Sequence, residues 1–239
     1  MKKVLITGGT RGIGLACVKA FAEAGYDTAV IYRNSDTSAN ELKAKYGTAV
    51  YKCDLADRED LLSVLGKIKS DFPEGFDAII NNAGISSRKM MCDISDNEWD
   101  DMLSVSLTAP FIITRELSPF MVKRGSGRII NISSIWGEHG ASCEVHYSAA
   151  KSGLIGLTKA SAMELAPSGV IVNCICPGVI DTDMNADLTD SEMEELKNSI
   201  PLCRFGAAEE VAKTAVFLAS ESSSYVVGQI LTIDGGFCN

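Results

Sequence analysis

The chain has 239 residues, 46% hydrophobic and 22% charged, with a formal net charge of −9. That length suits one large domain with a buried core, and the acidic balance argues against partners such as nucleic acid or an anionic membrane, which favour a basic face. No apolar run is long enough to span a bilayer; the eight cysteines are scattered with no Cys-x-x-Cys pair and only two histidines, so they read as reduced core thiols and no metal site is expected. Met1-Lys2-Lys3 has the basic start of a leader, but the apolar run behind it breaks at Thr7-Gly8-Gly9, which predicts a cytoplasmic protein.

Val4-Leu5-Ile6 is a short strand that runs into Gly8-Gly9-Thr10-Arg11-Gly12-Ile13-Gly14, followed by a helical pattern through Ala16, Val18, Ala20 and Phe21. Strand, glycine turn and helix is the context of a dinucleotide phosphate loop. Glycines let the backbone approach the phosphates, and the helix start offers free N–H groups and the positive end of a dipole. The second strand, 28–32, ends about 20 residues after the loop, where an NAD-binding chain places an acid for the ribose 2′-hydroxyl. Here the sequence reads Tyr32-Arg33-Asn34-Ser35. Without a carboxylate, and with a guanidinium next door, a 2′-phosphate is the better guest; Arg11 adds a second cation, so NADP(H) is expected over NAD(H).

A helical segment at 38–46 precedes a strand at 48–53 with Asp54 at its C-terminal end, and a helix at 58–69 precedes a strand at 77–80 that stops at Asn81-Asn82-Ala83-Gly84. A long helix is predicted over 97–123, containing Ser106, then a strand over 128–132 ending in Ser133-Ser134, then a helix from Tyr147 to about 165. A sixth strand, 170–176, leads to Pro177-Gly178; the acidic stretch 181–199 is the candidate substrate lid, and the chain closes with a helix at 208–220 and a strand at 229–233. Strands alternating with helical patterns predict an α/β fold, a parallel sheet covered on both faces in a single domain. Ligands of such sheets gather at the C-terminal ends of strands, where Asp54, Asn81 and Ser134 fall. Tyr147 and Lys151 lie four apart, one helical turn on one face. A phenol beside an ammonium suits proton transfer, and a neighbouring cation favours the phenolate, which predicts a lowered Tyr147 pKa.

Taken together, Thr7-Gly8-x-x-x-Gly12-Ile13-Gly14, Asn81-Asn82-Ala83-Gly84, Ser134, Tyr147-x-x-x-Lys151 and Pro177-Gly178 resemble the short-chain dehydrogenase/reductase family, in order and over essentially the whole chain. The closing stretch, from Pro201-Leu202-Cys203-Arg204-Phe205-Gly206 to Gly235-Gly236, is most similar to its 3-oxoacyl-acyl-carrier-protein reductase branch. The resemblance implies a Rossmann-type doubly wound parallel sheet of about seven strands with helices on both faces, and a homotetramer paired through the helices at 97–123 and 147–165 and through the C-terminal strand. It implies an NADP(H)-dependent ketone reductase with Tyr147 as proton donor, Lys151 on the nicotinamide ribose, and Ser134, rather than Ser133, on the substrate oxygen.

The same resemblance implies a cofactor set of Gly8, Thr10, Arg11, Gly12, Ile13, Gly14, Arg33, Asp54, Leu55, Asn81, Ala83, Gly84, Pro177, Gly178, Val179 and Thr182, together with Tyr147 and Lys151. Asp54 and Ala83 would line the adenine side, Asn81 would brace the site, and Val179 and Thr182 would contact the carboxamide. Ser106 stands where the family usually has an asparagine that positions a water for the lysine. Trp136 and His146 are candidate substrate contacts. For the substrate, acyl carrier protein is the first expectation; Lys123, Arg124 and Arg128 are retained basic residues, but Ser168 replaces an arginine common in that branch. The stretch 134–147 also resembles a subgroup that reduces the 5-aminopentanone modification of elongation factor P, for which Glu138, Glu144 or the acids of 181–199 would meet the amine. A third reading is an NADP(H)-binding sensor or scaffold without turnover.

Overall fold

A computed structural model of the chain describes residues 1–182 and 189–238. Seven strands, β1 (Lys2–Thr7), β2 (Tyr26–Tyr32), β3 (Ala49–Lys52), β4 (Ala78–Asn81), β5 (Gly127–Ile132), β6 (Val170–Pro177) and β7 (Ile230–Ile233), form one sheet. Their order is β3-β2-β1-β4-β5-β6-β7, and each neighbouring pair is parallel. Parallel neighbours need long crossovers, which the intervening helices supply.

Residue alternation decides which side chain meets which layer. Val4 and Ile6 face Phe21 of α1 (Gly12–Glu23) and Val211 and Leu218 of α9 (Ala208–Ala219). Leu5 faces the other way, toward Leu61 and Leu65 of α3 (Arg58–Asp71) and Ile112 and Leu117 of α5 (Ala109–Arg124). With both faces covered, β4, β5 and β6 are buried at every position, and each aliphatic side chain so buried contributes about 1.5–3 kcal/mol. Helix starts are written locally. Asp57 accepts from the N–H groups of Glu59 and Asp60 at the start of α3, and Thr189 and Glu192 form a reciprocal capping box on α8 (Asp190–Ser199). The remaining helices are α2 (Asp36–Tyr46), α4 (Asp96–Leu103), α6 (Ile135–His139) and α7 (Val145–Leu165).

Two expectations change. The single helix predicted over 97–123 is α4 and α5 separated by a π turn at Ser104–Thr108, where the Ala109 N–H reaches back to the Ser104 carbonyl. Pro110 explains the break: it has no N–H to give to the Ser106 carbonyl four residues earlier, so an α-helical ladder cannot run through this point. The short helix α6, directly after Ser134, was not foreseen. Of the stretch 181–199, residues 183–188 lie outside the described residues, and the rest includes α8.

Candidate active site

The C-terminal ends of β1, β4, β5 and β6 converge on one cleft at the point where strand order reverses between β1 and β4. On the β1 side, the loop turns through Gly8 at φ +67° and Gly12 at φ +51°. A Cβ on Gly14 would stand 2.1 Å from the Gly8 carbonyl oxygen, so this turn admits only glycine there. Arg11, the N-cap residue of α1, makes no side-chain capping bond, which leaves the first-turn amides to an anion. These features fit a dinucleotide pyrophosphate.

The brace of the loop is Asn82. Asn82 Nδ2 donates to the carbonyls of Thr7 (2.9 Å) and Gly8 (3.3 Å), while Thr7 Oγ1 accepts from the N–H groups of Asn82 (3.0 Å) and Ala83 (2.9 Å). Asn81, still in β4, turns the opposite way and donates to Asn131 Oδ1 at 2.8 Å; Asn131 in turn donates to Thr158 of α7. This buried polar chain beneath the cleft was missed at the sequence level, although an asparagine inside Ile129-Ile130-Asn131-Ile132 was its signal. Thr10 is buried, and Ile13 and Leu55 pack into the apolar clusters. Gly84 crosses the reaction centre: a Cβ there would lie 3.4 Å from Lys151 Nζ and 3.9 Å from Ser106 Oγ.

At the end of β2, Arg33 is half exposed and 3.7 Å from Asp54. The neighbouring carboxylate, Asp36, is held by the Tyr32 hydroxyl (2.9 Å) and the Lys52 ammonium (2.7 Å). At the other end of the cleft, Gly178 N–H donates to Ile233 O, and Gly206 pairs with Val179 and Asp181. The Thr182 methyl lies 3.4 Å from where a Cβ on Gly12 would stand, so the segment after Pro177 folds back over the phosphate loop.

The reaction centre is assembled by α6 and α7. Ser134 is the N-cap of α6; its Oγ accepts from Trp136 N–H at 3.1 Å and lies close enough to Tyr147 to favour its phenolate. Ser133 donates instead to the Lys151 carbonyl at 2.9 Å, a structural bond. Lys151 Nζ donates to Ile132 O at 2.8 Å and lies 5.7 Å from the Tyr147 ring centroid. Gly137 lets α6 lie directly on α7, since a Cβ there would meet the Lys151 carbonyl carbon at 2.8 Å.

The sign of the Tyr147 shift is opposite to the expectation from spacing. Burial, opposed by the nearby Ser134 hydroxyl and aided by the Glu144 charge, pushes the phenol up to about 12. Burial also lowers Lys151 to about 8. A phenol so placed is a protonated donor at neutral pH, as reduction of a carbonyl requires.

Other candidates fall differently. Ser106 is fully buried in the π turn, its hydroxyl directed at Met102 Sδ, 3.8 Å away. Trp136 packs beside Tyr147 and meets Phe237 edge to face at 5.9 Å. His146, a candidate substrate contact or buried structural histidine, is fully buried on the first turn of α7 with Nε2 2.7 Å from Ser87 Oγ. Arg124 and Arg128 belong to the opposite end of β5 from Ser134; Arg124 donates to the Glu74 and Phe76 carbonyls and Arg128 to that of Gly127. Within this subunit they do not flank the cleft. Glu138 accepts from Thr232 Oγ1 at 2.7 Å, and Glu144 accepts from Arg88 Nε at 3.2 Å.

A family model described as enoyl-(acyl carrier protein) reductase matches residues 8–238. The chain is 39% identical to the 3-oxoacyl-[acyl-carrier-protein] reductase FabG of Aquifex aeolicus, over 98% of this chain and 96% of that one. The chain belongs to the short-chain dehydrogenase/reductase family. This reductase is also 37% identical to the FabG protein of Staphylococcus aureus (98% and 97% covered) and 39% identical to an acetoacetyl-CoA reductase of Shinella zoogloeoides (97% and 96% covered). It is an oxidoreductase.

Proposed function

We propose that this enzyme uses NADPH to reduce the ketone of a 3-oxoacyl thioester to the secondary alcohol, with acyl carrier protein as the preferred carrier. The Ser134–Tyr147–Lys151 cluster carries the reading: a protonated phenol close to a hydroxyl, beside a buried ammonium. Gly8, Gly12 and Gly14 would hold the pyrophosphate, Arg11 and Arg33 the 2′-phosphate, Lys151 the nicotinamide ribose, and Val179 and Thr182 the carboxamide. When bound, the nicotinamide supplies hydride to the carbonyl carbon. Tyr147 gives its hydroxyl proton to the carbonyl oxygen, Ser134 holds that oxygen by a second hydrogen bond, and the Lys151 charge stabilises the phenolate left behind. The names of the relatives support a ketoacyl substrate.

NADP(H) is favoured over NAD(H) because Arg33 is half exposed while Asp36 is already engaged by Tyr32 and Lys52. The elongation factor P reading needs a free carboxylate near the phenol; Glu138 and Glu144 are both engaged, which leaves that reading to the acids of 181–199. Exposed Phe111 on α5 and Met163 on α7 support burial against further copies in a homotetramer, and eight free thiols support a reducing cytoplasm.

The test is oxidation of NADPH and NADH with acetoacetyl-CoA, crotonyl-CoA and an aminoketone. NADPH-dependent turnover of acetoacetyl-CoA is expected; crotonyl-CoA as the better substrate would replace the ketone reading with an enoyl one, and the aminoketone would restore the elongation factor P reading. Arg33→Ser should raise the KM for NADPH by about 10²-fold and leave that for NADH unchanged, since a charge-assisted contact contributes about 1.5–3 kcal/mol. A wild-type preference for NADH would overturn the cofactor assignment.

A further inference from the structure

Three consecutive residues of the β4–α4 connection each fasten one residue of the segment leading into Tyr147. Ser87 Oγ meets His146 Nε2 at 2.7 Å, Arg88 Nε donates to Glu144 Oε1 at 3.2 Å, and Lys89 N–H donates to Cys143 O at 2.8 Å. The middle contact is ionic and unequal in setting: the Glu144 side chain is 9% exposed and that of Arg88 55%. Glu144 is the N-cap residue of α7, three residues before Tyr147, and its carboxylate is nearly buried beside the first turn that carries the phenol. The connection that carries Arg88 begins at Gly84, packed over Lys151 Nζ.

We infer that the Arg88–Glu144 ion pair positions and electrostatically sets the reacting phenol, with Arg88 offsetting part of the Glu144 charge that Tyr147 feels. The inference rests on Tyr147 as the proton-transfer group of the proposed function. The Glu144 charge is among the causes that raise Tyr147, consistent with its approach to the phenol. The other groups facing Tyr147 are the Lys151 ammonium from α7, the Ser134 hydroxyl from α6 and the Cys176 thiol from β6. Arg88 in turn faces Glu192 of α8. None of these groups is itself altered by a substitution at Arg88 or Glu144.

The pair acts through Tyr147, and opposite charge changes must therefore act in opposite directions. In oxidation of a 3-hydroxybutyryl thioester by NADP+, the phenol must lose its proton to serve as base. Below the phenol's pKa, each unit of lowering gives about tenfold more phenolate. At about pH 7, Glu144→Gln should therefore raise kcat/KM for oxidation by about three- to tenfold, and Arg88→Gln should lower it by a similar factor. Arg88→Lys keeps the charge and should stay within about twofold of wild type, as should the double variant R88Q/E144Q, which removes both charges together.

A second readout needs no turnover. Tyrosinate absorbance of each variant, minus that of its Tyr147→Phe counterpart, should show the Tyr147 midpoint about one pH unit lower in Glu144→Gln and higher in Arg88→Gln. Failure of the wild type to oxidise the thioester would count against the proposed substrate alone, and the titration would still decide the pair. If Glu144→Gln and Arg88→Gln shift the midpoint in the same direction or not at all, or the double variant keeps the loss of Arg88→Gln, the pair is merely structural and the inference is wrong.

Discussion

Tyr147→Phe is expected to lower kcat for ketone reduction by about 10³–10⁴-fold, near the upper end of what one positioned acid contributes, with NADPH affinity within about twofold of wild type. The size follows from the surroundings. The phenol is buried, is pushed up to about 12 and sits next to Ser134, so it is the one acid whose loss leaves the alkoxide with no proton. Ser134 can still hold the oxygen, but its own oxygen is already taken up as the cap of α6. Removing the hydroxyl should cost only about 1 kcal/mol of stability. Steady-state rates and a fluorescence titration with NADPH check both halves. More than about a tenth of wild-type kcat would remove Tyr147 from the proton-donor role, given contributions of this class.

Lys151→Met should be equally severe for turnover, and it carries a stability signature that Tyr147→Phe lacks. Burial lowers Lys151 from 10.5 to about 8. Below about pH 8 folded and unfolded chains both hold the proton, and the folded chain bears the full cost of a buried ammonium, on the order of 3 kcal/mol. Between about 8 and 10.5 the unfolded chain binds more protons than the folded one, so this group's contribution to stability rises with pH. Losing the donor to the Ile132 carbonyl offsets the gain of the methionine variant by about 1–3 kcal/mol at every pH. The melting temperature of Lys151→Met minus that of wild type should therefore fall as pH rises from about 7 to 10. A difference that is flat in pH would mean that Lys151 is not held as a buried cation. Stability given up at a working lysine is the usual exchange at an active site.

How far the sequence can be read depends on the range of the interaction involved. Strand positions, the phosphate loop and the Tyr147–Lys151 register follow from local periodicity, and the sheet order β3-β2-β1-β4-β5-β6-β7 agrees with the doubly wound expectation. Helix α6 is too short to leave a periodic signal. The π turn was legible in principle: Pro110 lies four residues after Ser106, and its missing N–H forbids the ladder. The sign of the Tyr147 shift was not legible, because a four-residue spacing reports the neighbouring lysine but not the burial that raises the phenol. The loop-tethering role of Asn82 was not legible for a similar reason. Adjacent residues at a strand end point to opposite faces, and only the register with β1 says which face holds the loop. Lys123, Arg124 and Arg128 looked like docking charges until strand direction placed them at the far end of β5.

The brace between Thr7 and Asn82 bears on how the protein is made. The phosphate loop is encoded within the first turn of the fold, yet the group that ties it down lies 75 residues later. On a ribosome adding roughly 5–20 residues per second, about 4–15 s separate the two. Until β4 emerges, β1 presents one unpaired edge and its glycine turn lacks the Asn82 tether. The nascent N-terminal portion therefore has the letters of a nucleotide site without its shape, and cofactor can report only on chains whose first four strands have closed.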